Sequence, residues 1–335
     1  VRPPGLALVR RLALAGSLAL VSPFALGLGG AAAEEAPVEV YASPIERFDS
    51  ATPVGGAYGK LVFLGGLTLS SRDKDFGGLS GLRLSDDGRR FTAISDRGNW
   101  FRGAIAYDGA KPTGLSGVMR EPIVGPRGPL PGRRGADTES LDIRGGSAWI
   151  ASERVHEVLR FALDAEGRAG AGRPVKLPKA VGGAPSNAGY EAISTMTSGA
   201  LMMIGEKYLD AAGNNRAFVV GTRTPFEFAV RRTEDFSPTD VARLPGGGFV
   251  LLERRYVPPL SLSVRMRRLS ESNVKAGAVV DGPVLMEATL SQAIDNLEGV
   301  ATHRGADGRT VITAVSDDNF SGFQRTVLLQ FALPE

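Results

Sequence analysis

Four strand-like segments of the chain end in an acid followed at once by a base: Asp96-Arg97, Glu153-Arg154, Glu206-Lys207 and Glu253-Arg254. A fifth segment ends instead in Asp317-Asp318-Asn319. A second set of acids stands at the starts of hydrophobic runs, at Glu139, Glu191, Asp240 and Glu298, with Ser80 as the exception. Carboxylates brought to one place repel each other unless they are protonated, paired or bound to a cation. All-oxygen donor sets suit hard divalent ions, Ca²⁺ above all, with Mg²⁺ stricter in geometry. The expected metal-ligating residues are therefore Asp96, Glu139, Glu191, Asp240, Glu298, Asp317 and Asp318. Glu298, Asp317 and His303 are the catalytic candidates, and Arg97, Arg154, Lys207 and Arg254 could hold an anionic substrate. The same acid–base pairs allow a purely structural alternative. Successive strand residues point to opposite faces, so acid and base could lock neighbouring sheets together without any ligand.

Other chemistries are excluded by composition. The chain has no cysteine and only two histidines, His156 and His303. Thiolate nucleophiles, thiol redox chemistry and a three-histidine zinc site are thus ruled out. No nucleophile elbow, Walker loop or zinc-protease helix motif occurs. His156, just beyond a strand, reads as a packing or surface residue. His303 lies five residues past Glu298 in the fifth segment and could face the site.

What positions these residues is an internal repeat, the feature to seek before local structure is read. Five segments share one order: a polar start, an apolar strand, a glycine turn, a second strand and a terminal acid. They begin near Leu79, Thr138, Tyr190, Pro238 and Leu297, and their starts align at Ser80, Glu139, Glu191, Thr239 (beside Asp240) and Glu298. The intervals are 59, 52, 48 and 59 residues. The turns hold Asp87-Gly88, Gly145-Gly146, Ser198-Gly199, Gly246-Gly247-Gly248 and Asp307-Gly308, the residues tight hairpins require. Three or four strands per unit of this size predict an all-β propeller. Five units are visible, and the N-terminal strands around Val38–Tyr41 and Leu61–Leu69 either complete the last blade or form a sixth. In both cases N- and C-terminal strands close the ring and leave no free edge. In such a blade the first strand starts, and the second ends, at the same rim. Both acid sets are therefore expected at one mouth of the channel.

Arg2, Arg10 and Arg11, an apolar run from Leu12 and Ala31-Ala32-Ala33 have the order of a secretory signal peptide. The expected organisation is a leader over 1–33 and one domain over 34–335. The flanks of Arg10-Arg11 match a twin-arginine signal poorly, so general secretion to the periplasm or beyond is expected. The formal charge of +3 comes from those three leader arginines. Without them the chain is neutral, which points to no nucleic-acid partner. No long apolar run follows the leader, so no membrane span is expected in the mature chain. A monomer acting on a small molecule is expected.

At these residues the sequence resembles a known family. LGGLTLSS, FGGLSGLRLS, the SDRG element, DTESLDI, GYEAIS, SPTDVARLPGGGFVLLERRY and NLEGVA…SDDNF are together similar to the phytase-like family, described as having esterase-like activity. The likeness runs from about Leu64 to Glu335. It implies a propeller and an ester or phosphoester hydrolase, with calcium a cofactor the acidic mouth would admit. The acid-phytase motif R-H-G-x-R-x-P is absent. Two other readings stay open: a non-catalytic binding or scaffold propeller, and a calcium-dependent lactonase with His303 as base.

Overall fold

Every glycine turn read from the sequence joins two antiparallel strands, and each carries a glycine at positive φ: Gly88, Gly146, Gly199, Gly248 and Gly308. The structure is a computed structural model describing Val1 and residues 35–130, 137–185, 189–258 and 261–334. The expected leader, apart from Val1, lies outside the described residues. Residues Ala33–Glu335 belong to one unit.

Five sheets make a five-bladed propeller. Their innermost strands are Leu79–Leu84, Thr138–Arg144, Ala192–Thr195, Ser237–Arg243 and Leu297–Arg304. Each touches the next, and the last touches the first. Five apolar clusters fill the ring, one between each pair of neighbouring blades. The cluster between blades 1 and 2, for example, joins Ile94 and Trp100 to Leu141 and Ile150. Each blade therefore needs both neighbours to bury its two faces.

The N-terminal strands complete the last blade, and the described residues form no sixth. Leu61–Ser71 pairs with the C-terminal strand Thr326–Leu333 on one side and with Val40–Ile45 on the other. Three C-terminal and three N-terminal strands thus build blade 5, the sixth being the short Ala57–Tyr58, which pairs with Val62 and Leu61. The chain ahead of Val40 continues to blade 1, where Ala36–Pro37 pairs with Met119 and Arg120 at the outer edge. The outer edge of blade 3 is covered by Val279–Val280, which runs parallel to Phe226–Val230. Among the described residues no helix is long and apolar enough to cross a membrane.

One irregularity recurs and sets the site. In blades 1, 2, 4 and 5 the register between first and second strands skips one residue, between Leu79 and Gly81, Thr138 and Ser140, Pro238 and Asp240, and Leu297 and Gly299. The skipped residues are the repeat starts Ser80, Glu139, Thr239 and Glu298. A bulge leaves its extra residue unpaired and re-aims the side chain. In blade 3 pairing begins at Ala192, one residue after Glu191.

Candidate functional site at the acidic mouth

Strand starts and strand ends meet at one rim, as hairpin geometry requires. Backbone bonds join Asp96 to Gly78, Glu153 to Asp137, Glu206 to Gly189 and Asp317 to Asn296. Blade 4 departs from the sequence reading by one residue. There Pro238 pairs with Glu253, whereas the matching positions elsewhere pair Leu79 with Ser95, Thr138 with Ser152 and Leu297 with Ser316. Glu253 therefore occupies a serine position, and Arg254 takes the place that Asp96, Glu153, Glu206 and Asp317 hold in the other blades. A one-residue slip exchanges the faces of a strand. Glu253 is accordingly fully buried inside its blade, accepting Arg265 Nε at 3.0 Å and Arg267 Nε and Nη2 at 2.7 Å. The mouth has four end-of-strand acids and one base.

Arg254 joins three blades. It donates to Asn296 Oδ1 at 2.5 Å and to Glu298 Oε1, and its Nη2 lies 3.8 Å from Glu206 Oε1. Asn296 Nδ2 also donates to Glu298 Oε1, at 2.8 Å. Burial opposes the charge on Arg254, yet the surrounding Glu298, Glu191 and Glu206 raise its pKa. The expected ring of inter-blade ion pairs is thus confined, among these four bases, to this one. Arg97 lies 3.2 Å above the Phe320 ring and donates to Lys74 O. Arg154 pairs with Asp137 of its own blade, and Lys207 with Glu206 beside it at 2.7 Å. Arg154 and Lys207 are exposed and Arg97 partly so.

Blades 2 and 3 contribute a further group of acids, of which only Glu206 has Arg254 within ion-pair distance. Asp137, Glu139 and Glu153 bring one oxygen each within 4.8 Å of one another, and so do Glu153, Glu191 and Glu206. Glu153 belongs to both trios. Glu191 is 8% exposed, and among the described residues neither it nor Glu139 has a hydrogen bond or ion pair. Burial, then Glu298 and Glu191, push the Glu139 carboxyl well above the usual range. Burial and then Glu206 do the same to Glu191, against the opposing pull of Arg254. Glu153 is raised by burial and by Asp137. Asp317 is pushed up to about 8 by burial, Glu298, Asp96 and Asp318. Oxygens up to about 4.8 Å apart can face each other across a cation with Ca–O distances of about 2.4 Å. The donors are all hard oxygens, so this group suits Ca²⁺ or a similar ion.

Three sequence expectations are corrected. Asp240 is not available to a metal: it is wholly buried and accepts Arg83 Nη1 at 2.9 Å, Val300 N at 2.8 Å and Val241 N at 2.7 Å. Its bulged neighbour Thr239, which donates to Leu297 O at 3.2 Å, holds the rim position instead. Asp318 is a turn residue, accepting Gly78 N, Phe320 N and Thr326 Oγ1, each at 3.0 Å. His303 sits near the far end of its strand. At about 3.3 Å per residue it is roughly 16 Å from Glu298. Its ring packs on Gly88, in the turn at the opposite rim. Burial lowers its pKa, and it cannot serve as base at the acidic mouth.

Arg83, which the sequence reading passed over, fills the channel below the acids. It is 8% exposed. Its guanidinium donates to Leu82 O, Asp142 Oδ1, Ile193 O, Asp240, Val241 O and Val300 O, touching all five inner strands. The sequence pattern shows Glu153 and Glu206 as strand-end acids but not as metal ligands, and it does not single out Asp137, whose place opposite Glu153 is set by pairing across the hairpin rather than by the repeat pattern.

Residues 74–320 match the phytase-like family, described as "Esterase-like activity of phytase". The chain belongs to the phytase-like family. The matched span of this phytase-like chain contains every mouth residue named above. No protein of curated function matches it in sequence. Among solved structures it is similar to the PQQ-bound aldose sugar dehydrogenase of Streptomyces coelicolor, at 12% identity, covering 89% of this chain and 99% of that one with a TM-score of 0.41. An endo-arabinase from Bacteroides thetaiotaomicron is 10% identical over 76% of this chain and 94% of that one, with a TM-score of 0.46. The glutaminyl cyclase of Myxococcus xanthus is 11% identical over 77% and 92%, with a TM-score of 0.37. Likeness at this level assigns no activity.

Proposed function

We propose that this phytase-like chain is an exported hydrolase of ester or phosphoester substrates, assisted by a divalent cation, calcium foremost, at the acidic mouth. One observation carries the reading. Glu139 and Glu191 converge on further carboxylates, and among the described residues the side chain of neither has a hydrogen bond or ion pair, whereas Asp240 and Glu298 are each clamped by an arginine. Unpaired buried carboxylates are costly unless a cation or protons compensate them.

When bound, the cation supplies the charge that polarises a substrate oxygen and activates water. Glu139, Glu191 and Glu153, with Asp137 and Glu206, would hold it. Arg254, fixed by Glu298 and Asn296, faces the cleft beside the mouth and can receive an ester or phosphoryl oxygen. Asp317, with its pKa near 8 in the cation-free protein, carries a proton at neutral pH and is the candidate donor to a leaving oxygen. Glu298 acts here by positioning Arg254. A scaffold role is favoured by the clamps at Arg83 and Arg254, but these leave the unpaired acids without a purpose.

The test is hydrolysis of a panel of p-nitrophenyl carboxylic and phosphate esters, in EDTA and after calcium is restored. The expected result is turnover that EDTA abolishes and calcium recovers, with Glu191→Gln lowering it by about 100-fold. Turnover indifferent to EDTA, or none with any ester, contradicts the proposal.

A further inference from the structure

The two acidic trios differ in what surrounds them. Asp137, Glu139 and Glu153 lie on the blade 2 side, where Asp137 is tied to Arg154. Glu153, Glu191 and Glu206 lie toward blade 3. Glu206 also lines a cleft of about 1150 Å³ with Arg254, Tyr256, Leu262, Asn296 and Phe323. Arg83 fills the channel beneath the acids, and the cleft meets the second trio at Glu206. Glu191, nine-tenths buried and aimed at Glu153 and Glu206, has no hydrogen bond or ion pair among the described residues to explain its position.

Charge and ligand number both call for more than one ion. Of the five carboxylates, only Asp137 and Glu206 pair with an adjacent exposed base, so that once all are ionised three negative charges are left, more than one divalent cation neutralises. Each trio supplies three oxygens, whereas Ca²⁺ takes about six to eight. A carboxylate shared between two ions lets both trios be used at once, and Glu153 is the only member common to both.

We propose that the mouth holds a pair of divalent cations bridged by Glu153. One lies among Asp137, Glu139 and Glu153 and completes the blade 2 hairpin. The other lies among Glu153, Glu191 and Glu206 and meets the substrate through the cleft. The remaining positions of the second ion are taken by water and a substrate oxygen, the arrangement in which two metals can act on attacking and leaving oxygens. This pairing rests on the cation-dependent reading above and adds the number of ions and the division of labour between them.

The experiment reads metal rather than turnover. The full mature chain is stripped with EDTA and titrated with Mn²⁺ or Ca²⁺, with bound ion measured by elemental analysis and Mn²⁺ coupling by electron paramagnetic resonance. The expected result is two ions per chain and an exchange-coupled Mn²⁺ spectrum. Glu139→Gln and Glu191→Gln should each retain one ion and show an uncoupled spectrum. Glu153→Gln should lose the coupling and weaken both ions. Circular dichroism of each variant separates ligand loss from misfolding, and Asp137→Asn is the second blade 2 variant if Glu139→Gln does not fold. One ion in the wild-type chain, or two that remain uncoupled, overturns the pair. Hydrolysis with a single ion would sink the pair but keep the proposed function. Two coupled ions without hydrolysis of any ester would do the reverse.

Discussion

At the scale of single residues, the mouth is governed by which carboxylates found a partner. Glu298 has Arg254 and Asn296; Asp240 has Arg83; Glu139 and Glu191 have neither. Burial and mutual repulsion hold the Glu139, Glu191 and Asp317 carboxyls above their usual range, Asp317 at about 8. An unfolded chain releases these protons near pH 4, as ordinary carboxyls do. The folded cation-free protein therefore binds more protons than the unfolded chain between about pH 4 and pH 8, so its stability falls as pH rises through that window. Thermal melts in EDTA should show a melting temperature several degrees lower at pH 8 than at pH 5, and saturating calcium should remove the difference. A flat profile in EDTA would mean that these acids are compensated within the protein. Glu191→Gln, which removes a buried charge, should raise the melting temperature in EDTA and shrink the gain that calcium gives.

At the scale of the strand, one residue of register decides whether a charge is structural or available. The sequence repeat places an acid–base pair at the end of four second strands, and nothing in Glu253-Arg254 distinguishes it from Glu153-Arg154. The difference lies in the partner strand Ser261–Leu269, whose Arg265 and Arg267 turn Glu253 inward. Glu253→Gln should cost about 3 to 5 kcal/mol by chemical denaturation, since it leaves two buried guanidinium groups under-compensated. Arg154→Gln removes a pair whose base is exposed and should cost far less than Glu253→Gln in the same measurement. Equal costs would contradict the register. The five hairpins were legible because their turns need glycine at positive φ, and that requirement is written locally. The bulges at Ser80, Glu139, Thr239 and Glu298 were not, because a skipped pairing is a relation between strands. That is why Asp240 read as a mouth residue although its neighbour Thr239 is the one that reaches the rim.

At the scale of the whole molecule, the repeat announced a ring but left its closure open between five blades and six. The decision lay in which N-terminal strands pair with Thr326–Leu333, a contact between chain ends that no local pattern encodes. The channel plug was hidden for a similar reason. Arg83 looks like one polar residue in an inner strand, and only the ring brings Asp142, Asp240 and carbonyls from every blade around it. Arg83→Met leaves Asp240 and Asp142 buried without their cation, and should cost about 3 to 5 kcal/mol in denaturant unfolding. Asp240→Asn in the same chain should recover part of that loss, and no recovery would mean the two do not act as a pair. The proposed calcium site would tie this closed ring to its mouth, since an ion held only by the folded state stabilises it in proportion to the logarithm of its concentration. The most direct measurement is therefore thermal melting of EDTA-stripped chain titrated with calcium, beside the Glu191→Gln variant. The melting temperature of the wild-type chain should climb steadily with calcium and that of the variant much less; coincident, calcium-independent curves would contradict a cation site at the acidic mouth.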